Sequence, residues 1–137
     1  MPAPAEVFVS HSDQNRELVV ELCAVLERHG VPFWYARRDL RGAKIWHDEI
    51  GAALARCDWL LVVLSPASVE SMWVRREVQY ALRSPRYDGR IVPILAEPCD
   101  FERLSWTLGG FQIITLGEDR AEAYRQILQI WGIGFRP

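Results

Sequence analysis

A chain of 137 residues, half of them hydrophobic and a quarter charged, can bury roughly two thirds of its unfolded surface in one core. Its composition is that of an ordinary globular protein. The formal net charge of −2 argues against direct nucleic-acid binding, which usually needs a clearly basic chain, and no apolar run approaches the roughly 20 residues of a membrane span. The opening Met-Pro-Ala-Pro-Ala-Glu lacks the basic and apolar regions of a signal peptide. Cys23, Cys57 and Cys99 are odd in number and widely spaced, and read as reduced thiols. These features lead us to expect one cytoplasmic domain over residues 1–137. The cysteines have neither the spacing nor the histidine neighbours of a zinc site, so no metal is expected. Fifteen of the sixteen basic residues are arginine, a side chain suited to phosphate and carboxylate partners.

The elements alternate along the chain. Val7-Phe-Val9 reads as a short buried strand. Asp13 or Asn15 can cap a helix that buries Leu18, Leu22, Val25 and Leu26 and ends at Gly30. Residues 32–35 form a second strand, placed at an edge because proline opens it. Residues 36–45 form a polar loop with the basic residues Arg37, Arg38, Arg41 and Lys44. A helix over 46–56 turns Trp46, Ile50, Ala53 and Leu54 inward. Residues 58–64 are apolar almost throughout, as a parallel strand covered on both faces should be. A third helix begins at Ser68 or Glu70 and ends at Arg83. A fourth strand covers 90–95, an irregular stretch follows from Glu97 to Trp106, and a fifth strand covers 111–116. Asp119 caps the last helix, whose Tyr124, Ile127, Leu128 and Trp131 make one stripe.

Five strands alternating with helices predict a parallel sheet with right-handed crossovers. For this size the expected architecture is α/β and flavodoxin-like, with strand order 2-1-3-4-5 and helices on both faces. Its switch point lies between strands one and three, so the loops at residues 10–15 and 65–71 should face each other across a cleft. Trp73 and Glu77 are four residues apart on the third helix, about 40° apart around its axis. They are expected at the margin of the apolar stripe Val74, Val78, Ala81 and Leu82. A carboxylate beside an aromatic surface, at the carboxyl end of a sheet, is a candidate catalytic group.

The ordered boxes resemble a known family. Val7-Phe-Val-Ser-His-Ser-Asp13 is similar to the opening box of TIR domains (Toll/interleukin-1 receptor and resistance protein) of the kind found in bacterial immune systems. Phe33-Trp-Tyr35 followed by Asp39-Leu40-x-Gly42 resembles the family's second strand and BB loop. Leu61-Val-Val-Leu-Ser-Pro66 with Ser71-x-Trp73-x-x-x-Glu77 resembles the box that carries a catalytic glutamate. The resemblance runs from about Val7 to Trp131. The chain departs from it in having no proline beside Gly42, and valine at position 74 where many relatives carry cysteine.

Members with that glutamate cleave NAD⁺ at the nicotinamide–ribose bond, so the resemblance implies that Glu77 is the catalytic carboxylate and NAD⁺ the substrate rather than a bound cofactor. The chemistry is consistent. Loss of nicotinamide gives an oxocarbenium-like transition state, which a nearby carboxylate stabilises or attacks. Nicotinamide leaves as a neutral amide and needs no general acid. Trp73 would then shape the nicotinamide-ribose pocket and Trp46 stack on a ring. Arg37, Arg38 and Lys44, with Arg41, would meet the diphosphate. Ser10, His11 and Ser12 offer donors near a helix N-terminus, where anions are favoured. The BB-loop residues Asp39, Leu40, Arg41 and Gly42 would form an oligomer interface.

Each assignment has a plainer rival. Glu77 could be a solvated face residue paired with Arg76 or Arg83. Trp73 and Trp46 could be aromatics at the edge of the core, and the basic loop a soluble segment or protein contact. His11 could hydrogen-bond a loop, and His29 and His47 are expected at the surface. At the level of function, the alternatives are a TIR scaffold that only binds other TIR domains and an enzyme resembling nucleoside deoxyribosyltransferases. A phosphoreceiver is disfavoured because strand three ends in Leu64-Ser65 without an aspartate. The resemblance further implies self-association through TIR–TIR contacts, activation by assembly, a sensor domain or protein as partner, and a place in antiphage defence.

Overall fold

The computed structural model describes residues 2–36 and 43–137, with side chains from 47 onward in the second stretch. Its strands are β1 (Val7–Ser10), β2 (Phe33–Tyr35), β3 (Trp59–Leu64), β4 (Ile91–Leu95) and β5 (Ile114–Thr115). Its α-helices are α1 (Arg16–Arg28), α2 (Ala43–Arg56), α3 (Pro66–Val69), α4 (Met72–Arg83) and α5 (Arg120–Ile130). The strands form one parallel sheet in the order β2-β1-β3-β4-β5, as the alternation predicts.

Strand parity divides the core into two layers. Val7 and Val9 of β1 and Trp59, Leu61 and Val63 of β3 pack with α1 and α5. Phe8, Leu60, Val62 and Leu64 pack on the other face with Ile50 of α2 and with Val74 and Val78 of α4. Both faces of β3 are covered, and all six of its residues are buried. The predicted stripe on α5 is also buried, and Trp131 meets Trp59 edge-on, with ring centroids 5.5 Å apart.

Several boundaries differ from the sequence expectations, each for a local reason. Ser12 caps a short 3-10 turn over Asp13–Asn15 before α1 begins, accepting a hydrogen bond from the Gln14 amide. The predicted third helix is two helices. Ser65 and Ser68 form a reciprocal capping box on α3, and Ser71 caps α4 by accepting from the Val74 amide. The long helix therefore starts at Met72, not at Ser68 or Glu70. The irregular stretch holds 3-10 turns at Phe101–Arg103 and Trp106–Gly110.

The fifth strand is shorter than the predicted 111–116 because of Pro93. In a parallel strand, alternate residues turn their backbone groups to opposite neighbours. Ala96 donates to Leu64 on the β3 side, whereas Leu95 accepts from Leu116 on the β5 side. By parity Pro93 faces β5, and without an N–H it cannot extend that ladder. Pairing is confined to Ile94 with Ile114 and Leu95 with Thr115.

His29 corrects a second expectation, for it is buried and not on the surface. Its Nδ1 lies 2.7 Å from the Val25 carbonyl, and its Nε2 accepts the Arg136 amide at 2.9 Å. That acceptance puts the proton of a neutral ring on Nδ1. Phe135 stacks on the imidazole with centroids 5.6 Å apart. The segment after α5 thus lies against the end of α1, where Gly30, at φ +74°, turns the chain.

Candidate functional site

The site is built where the carboxyl end of β1 meets α4. Ser10 has the parity of Phe8, so its side chain enters the layer between the sheet and α4. Glu77 lies in the same layer at 1% exposure, and the Ser10 hydroxyl donates to its Oε1 at 2.7 Å. This corrects the marginal position expected for Glu77. Val74, Glu77, Val78 and Ala81 follow the i, i+3, i+4, i+7 spacing of one helix face, and all four are buried. The solvated-face rival is removed with it. A carboxylate this deep is costly unless hydrogen-bonded, and an O–H donor to an ionised oxygen is among the stronger compensations.

Trp73, one turn earlier on α4, is half-buried at the edge of the same layer. His47 of α2 meets its ring edge-on, with centroids 5.4 Å apart, and the Arg76 guanidinium lies 5.3 Å from its centroid. An Arg that stacks on an indole contributes both packing and cation–π attraction. His47 is exposed, as expected. Its contact with Trp73 had no signal in the sequence, because it depends on how α2 and α4 are packed, whereas the Arg76 contact is an i, i+3 pair within α4 whose spacing the sequence carries.

The other predicted residues are distributed as follows. His11 is fully buried and lies edge-on to Tyr35 of β2, 5.9 Å between centroids. Ser12 caps the 3-10 turn beside it. Asn15 stands at the N-cap of α1 but makes no capping bond. Its Oδ1 accepts instead from the Ser65 hydroxyl at 2.7 Å. The loops after β1 and β3 do face each other, and this bond ties them together. Arg37, Arg38, Asp39, Leu40, Arg41 and Gly42, and the side chains of Lys44 and Trp46, lie outside the described residues.

Elsewhere, a shallow groove between α1 and α5 includes Glu17, Glu97 and Arg120 in its wall. Its two carboxylates would repel a dinucleotide phosphate, and Arg120 is paired with Glu21. Burial pushes the Cys57 thiol up to about 12. The Tyr87 hydroxyl, also raised by burial, donates to the Leu54 carbonyl at 2.6 Å. Among the described residues, no group of three or more His, Cys, Asp and Glu side chains could hold a metal ion, and no helix is long and apolar enough to cross a membrane.

A doubly covered parallel sheet in this order defines a flavodoxin-like α/β domain, and the carboxylate held at the carboxyl end of its first strand makes the α4 side its candidate site. The family model for the TIR domain matches residues 7–128, and the chain belongs to that family. Among solved structures it is similar to the TIR domain of the Toll-related receptor TRR-2 from Hydra magnipapillata. Identity is 21% and the TM-score 0.73, over 91% of this chain and 96% of that one. It is also similar to the TIR domains of the activated Roq1 resistosome, which recognises the pathogen effector XopQ, at 18% identity and a TM-score of 0.72 over 91% and 98% of the two chains. A TIR-STING receptor from C. gigas in complex with 2′,3′-cGAMP matches at 24% identity and a TM-score of 0.71. That match covers 90% of this chain and 38% of the receptor. At such identities the likeness speaks for the fold alone. A comparison with curated proteins found no match.

Proposed function

We propose that this TIR domain cleaves NAD⁺ at the nicotinamide–ribose bond, with Glu77 as the catalytic carboxylate. One observation carries the reading. Glu77, in the box Ser71-x-Trp73-x-x-x-Glu77, is buried and held by Ser10 at the carboxyl end of the sheet, where open α/β folds bind ligands. As the glycosidic bond breaks, its electron pair returns to the pyridinium nitrogen and nicotinamide leaves neutral. The positive charge that develops on the ribose is stabilised by Glu77, or captured by it. Water then forms the new C–O bond, giving ADP-ribose and a proton. An internal nucleophile of the same ADP-ribose would give a cyclised isomer. Trp73, braced by Arg76 and His47, offers an aromatic wall beside the carboxylate. Arg37, Arg38, Arg41 and Lys44 supply charge for the diphosphate.

The burial of Glu77 also supports activation by assembly. A ribose reaches a carboxylate that is 1% exposed only when a covering group moves. A second copy docking through the loop over residues 39–42 would supply the interactions that shift this equilibrium. The reading places the domain in the cytoplasm, with a sensor domain or protein as the source of the signal in an immune defence. The test is to incubate concentrated protein with NAD⁺ and separate the products by chromatography. Release of nicotinamide supports the proposal. Absence of turnover at high concentration and under an artificial tether leaves a TIR scaffold. Base exchange on deoxynucleosides without NAD⁺ loss would identify a deoxyribosyltransferase instead.

A further inference from the structure

We propose that Ser10 is a positioning residue for Glu77, an inference that rests on the catalytic reading of that carboxylate. Opposed forces act on Glu77. Burial favours the protonated acid, whereas a hydrogen bond donated to the carboxylate favours the anion. Only the anion stabilises an oxocarbenium-like ribose. The Ser10 hydroxyl is fully buried with its partner and donates at 2.7 Å, so it counters the desolvation at the atom where charge is needed.

The same bond orients the group. The terminal torsion of a glutamate is broad, and a donor fixed to one carboxylate oxygen narrows it. Ser10 can do this because it belongs to the sheet. β1 lies between β2 and β3, and Ser10 is in register with Val62 of β3. A donor on an interior strand of the sheet therefore holds a side chain from a helix. Neighbouring elements also carry titratable groups. His11 follows Ser10 at the end of β1, Tyr35 ends β2, His47, Asp48 and Glu49 lie on α2, and on α4 Arg75 and Arg76 precede Glu77 and Tyr80 follows it. All are retained in the variants below, so a difference between variants reports on Ser10.

The test compares Ser10→Ala with Ser10→Thr, which keeps the hydroxyl. The acidic limb of the kcat/KM profile for NAD⁺ should move up by about one pH unit in Ser10→Ala, the weight of one hydrogen bond to the charged form. At neutral pH, kcat should fall by about tenfold or more with KM changed far less, as expected when an interaction acts on the transition state. Ser10→Thr should return the limb toward its original position. Carbon-13 NMR of the Glu77 carboxyl provides a readout independent of turnover, and its titration should shift upward in Ser10→Ala. If Ser10→Ala does not fold, Ser10→Cys, with a weaker donor, should show a smaller shift in the same direction. Unchanged Glu77 titration, or an unmoved acidic limb, overturns the role of Ser10. Survival of turnover in Glu77→Gln overturns the catalytic reading itself, whatever the Ser10 variants do.

Discussion

Replacing Glu77 with glutamine removes one charge and almost no volume. The Ser10 hydroxyl lies 2.7 Å from Oε1 and can donate to the amide oxygen that replaces it, so Ser10 keeps its acceptor. Two stability effects then oppose each other. The charge-assisted bond becomes a neutral one, a loss of about 1 kcal/mol. The desolvation penalty of an ion that is 1% exposed is relieved, a gain of comparable or larger size. We therefore expect a melting temperature within roughly 5 °C of wild type, since about 1 kcal/mol moves a domain of this size by a few degrees. Catalysis has no such compensation. Losing one charge aligned with a developing cation costs on the order of 3–4 kcal/mol, a factor of roughly 10²–10³ in turnover. Glu77→Ala would be a poorer probe, because it leaves a cavity and a buried hydroxyl without its acceptor, together worth several kcal/mol. The assay is nicotinamide release at high protein concentration, run beside thermal melting of the same preparations. Glu70→Gln is the control. Glu70 is exposed and pairs with Arg103 at 2.8 Å, an exposed ion pair of small worth, and its loss should leave turnover unchanged. Near-wild-type turnover in a folded Glu77→Gln protein would refute the catalytic assignment.

Assembly predicts that activity per molecule rises with protein concentration, crowding or tethering, and that Arg41→Glu depresses this rise without altering circular dichroism; a concentration-independent specific activity would reject the shared-pocket idea. Trp46→Ala should weaken NAD⁺ processing by about tenfold, the scale of one lost aromatic stack, with Trp46→Phe restoring much of it. Outright unfolding would instead mark a core tryptophan, for which a loss of roughly 3–5 kcal/mol is usual. Fully buried Cys57, its thiol held near 12 by burial, should resist alkylation at pH 8 more than half-buried Cys99, whose thiol burial also raises, as mass spectrometry of labelled peptides would show. The same shift sets a pH dependence of stability. Between its ordinary value of 9.0 and about 12 the folded chain keeps a proton that the unfolded chain has lost. The Cys57 contribution is therefore complete below pH 9 and falls by up to roughly 1.4 kcal/mol per unit above it; Cys57→Ala should remove this part of the slope in denaturant melts and leave the part that starts near pH 10 from Tyr87 and Tyr124, whose hydroxyls burial also raises.

Much of the fold is legible in the chain because it depends on short-range rules. An apolar run from Trp59 to Leu64, six residues rich in β-branched and aromatic side chains, reads as a strand covered on both faces, and strand–helix alternation leaves few parallel arrangements. Asp119 caps α5 by accepting from the Ala121 amide, as its position foretells. Even the burial of Glu77 is written in the spacing of Val74, Val78 and Ala81, though a glutamate on a helix reads more naturally as a surface residue. The length of β5 is a harder case. Its own residues would support a longer strand, and the limit comes from Pro93 on the neighbouring strand.

What the sequence alone determines is thus the order and type of the elements and the residues offered to the site, because periodicity and caps act within a few positions. Tertiary structure decides which of those residues meet. Ser10 reaches Glu77 across 67 positions, Ser65 reaches Asn15 across 50, and the Arg136 amide reaches His29 across 107. No local preference encodes such pairs. They follow from the order of strands in the sheet, from the parity that turns a side chain to one layer or the other, and from the cost of leaving a buried polar group without a partner.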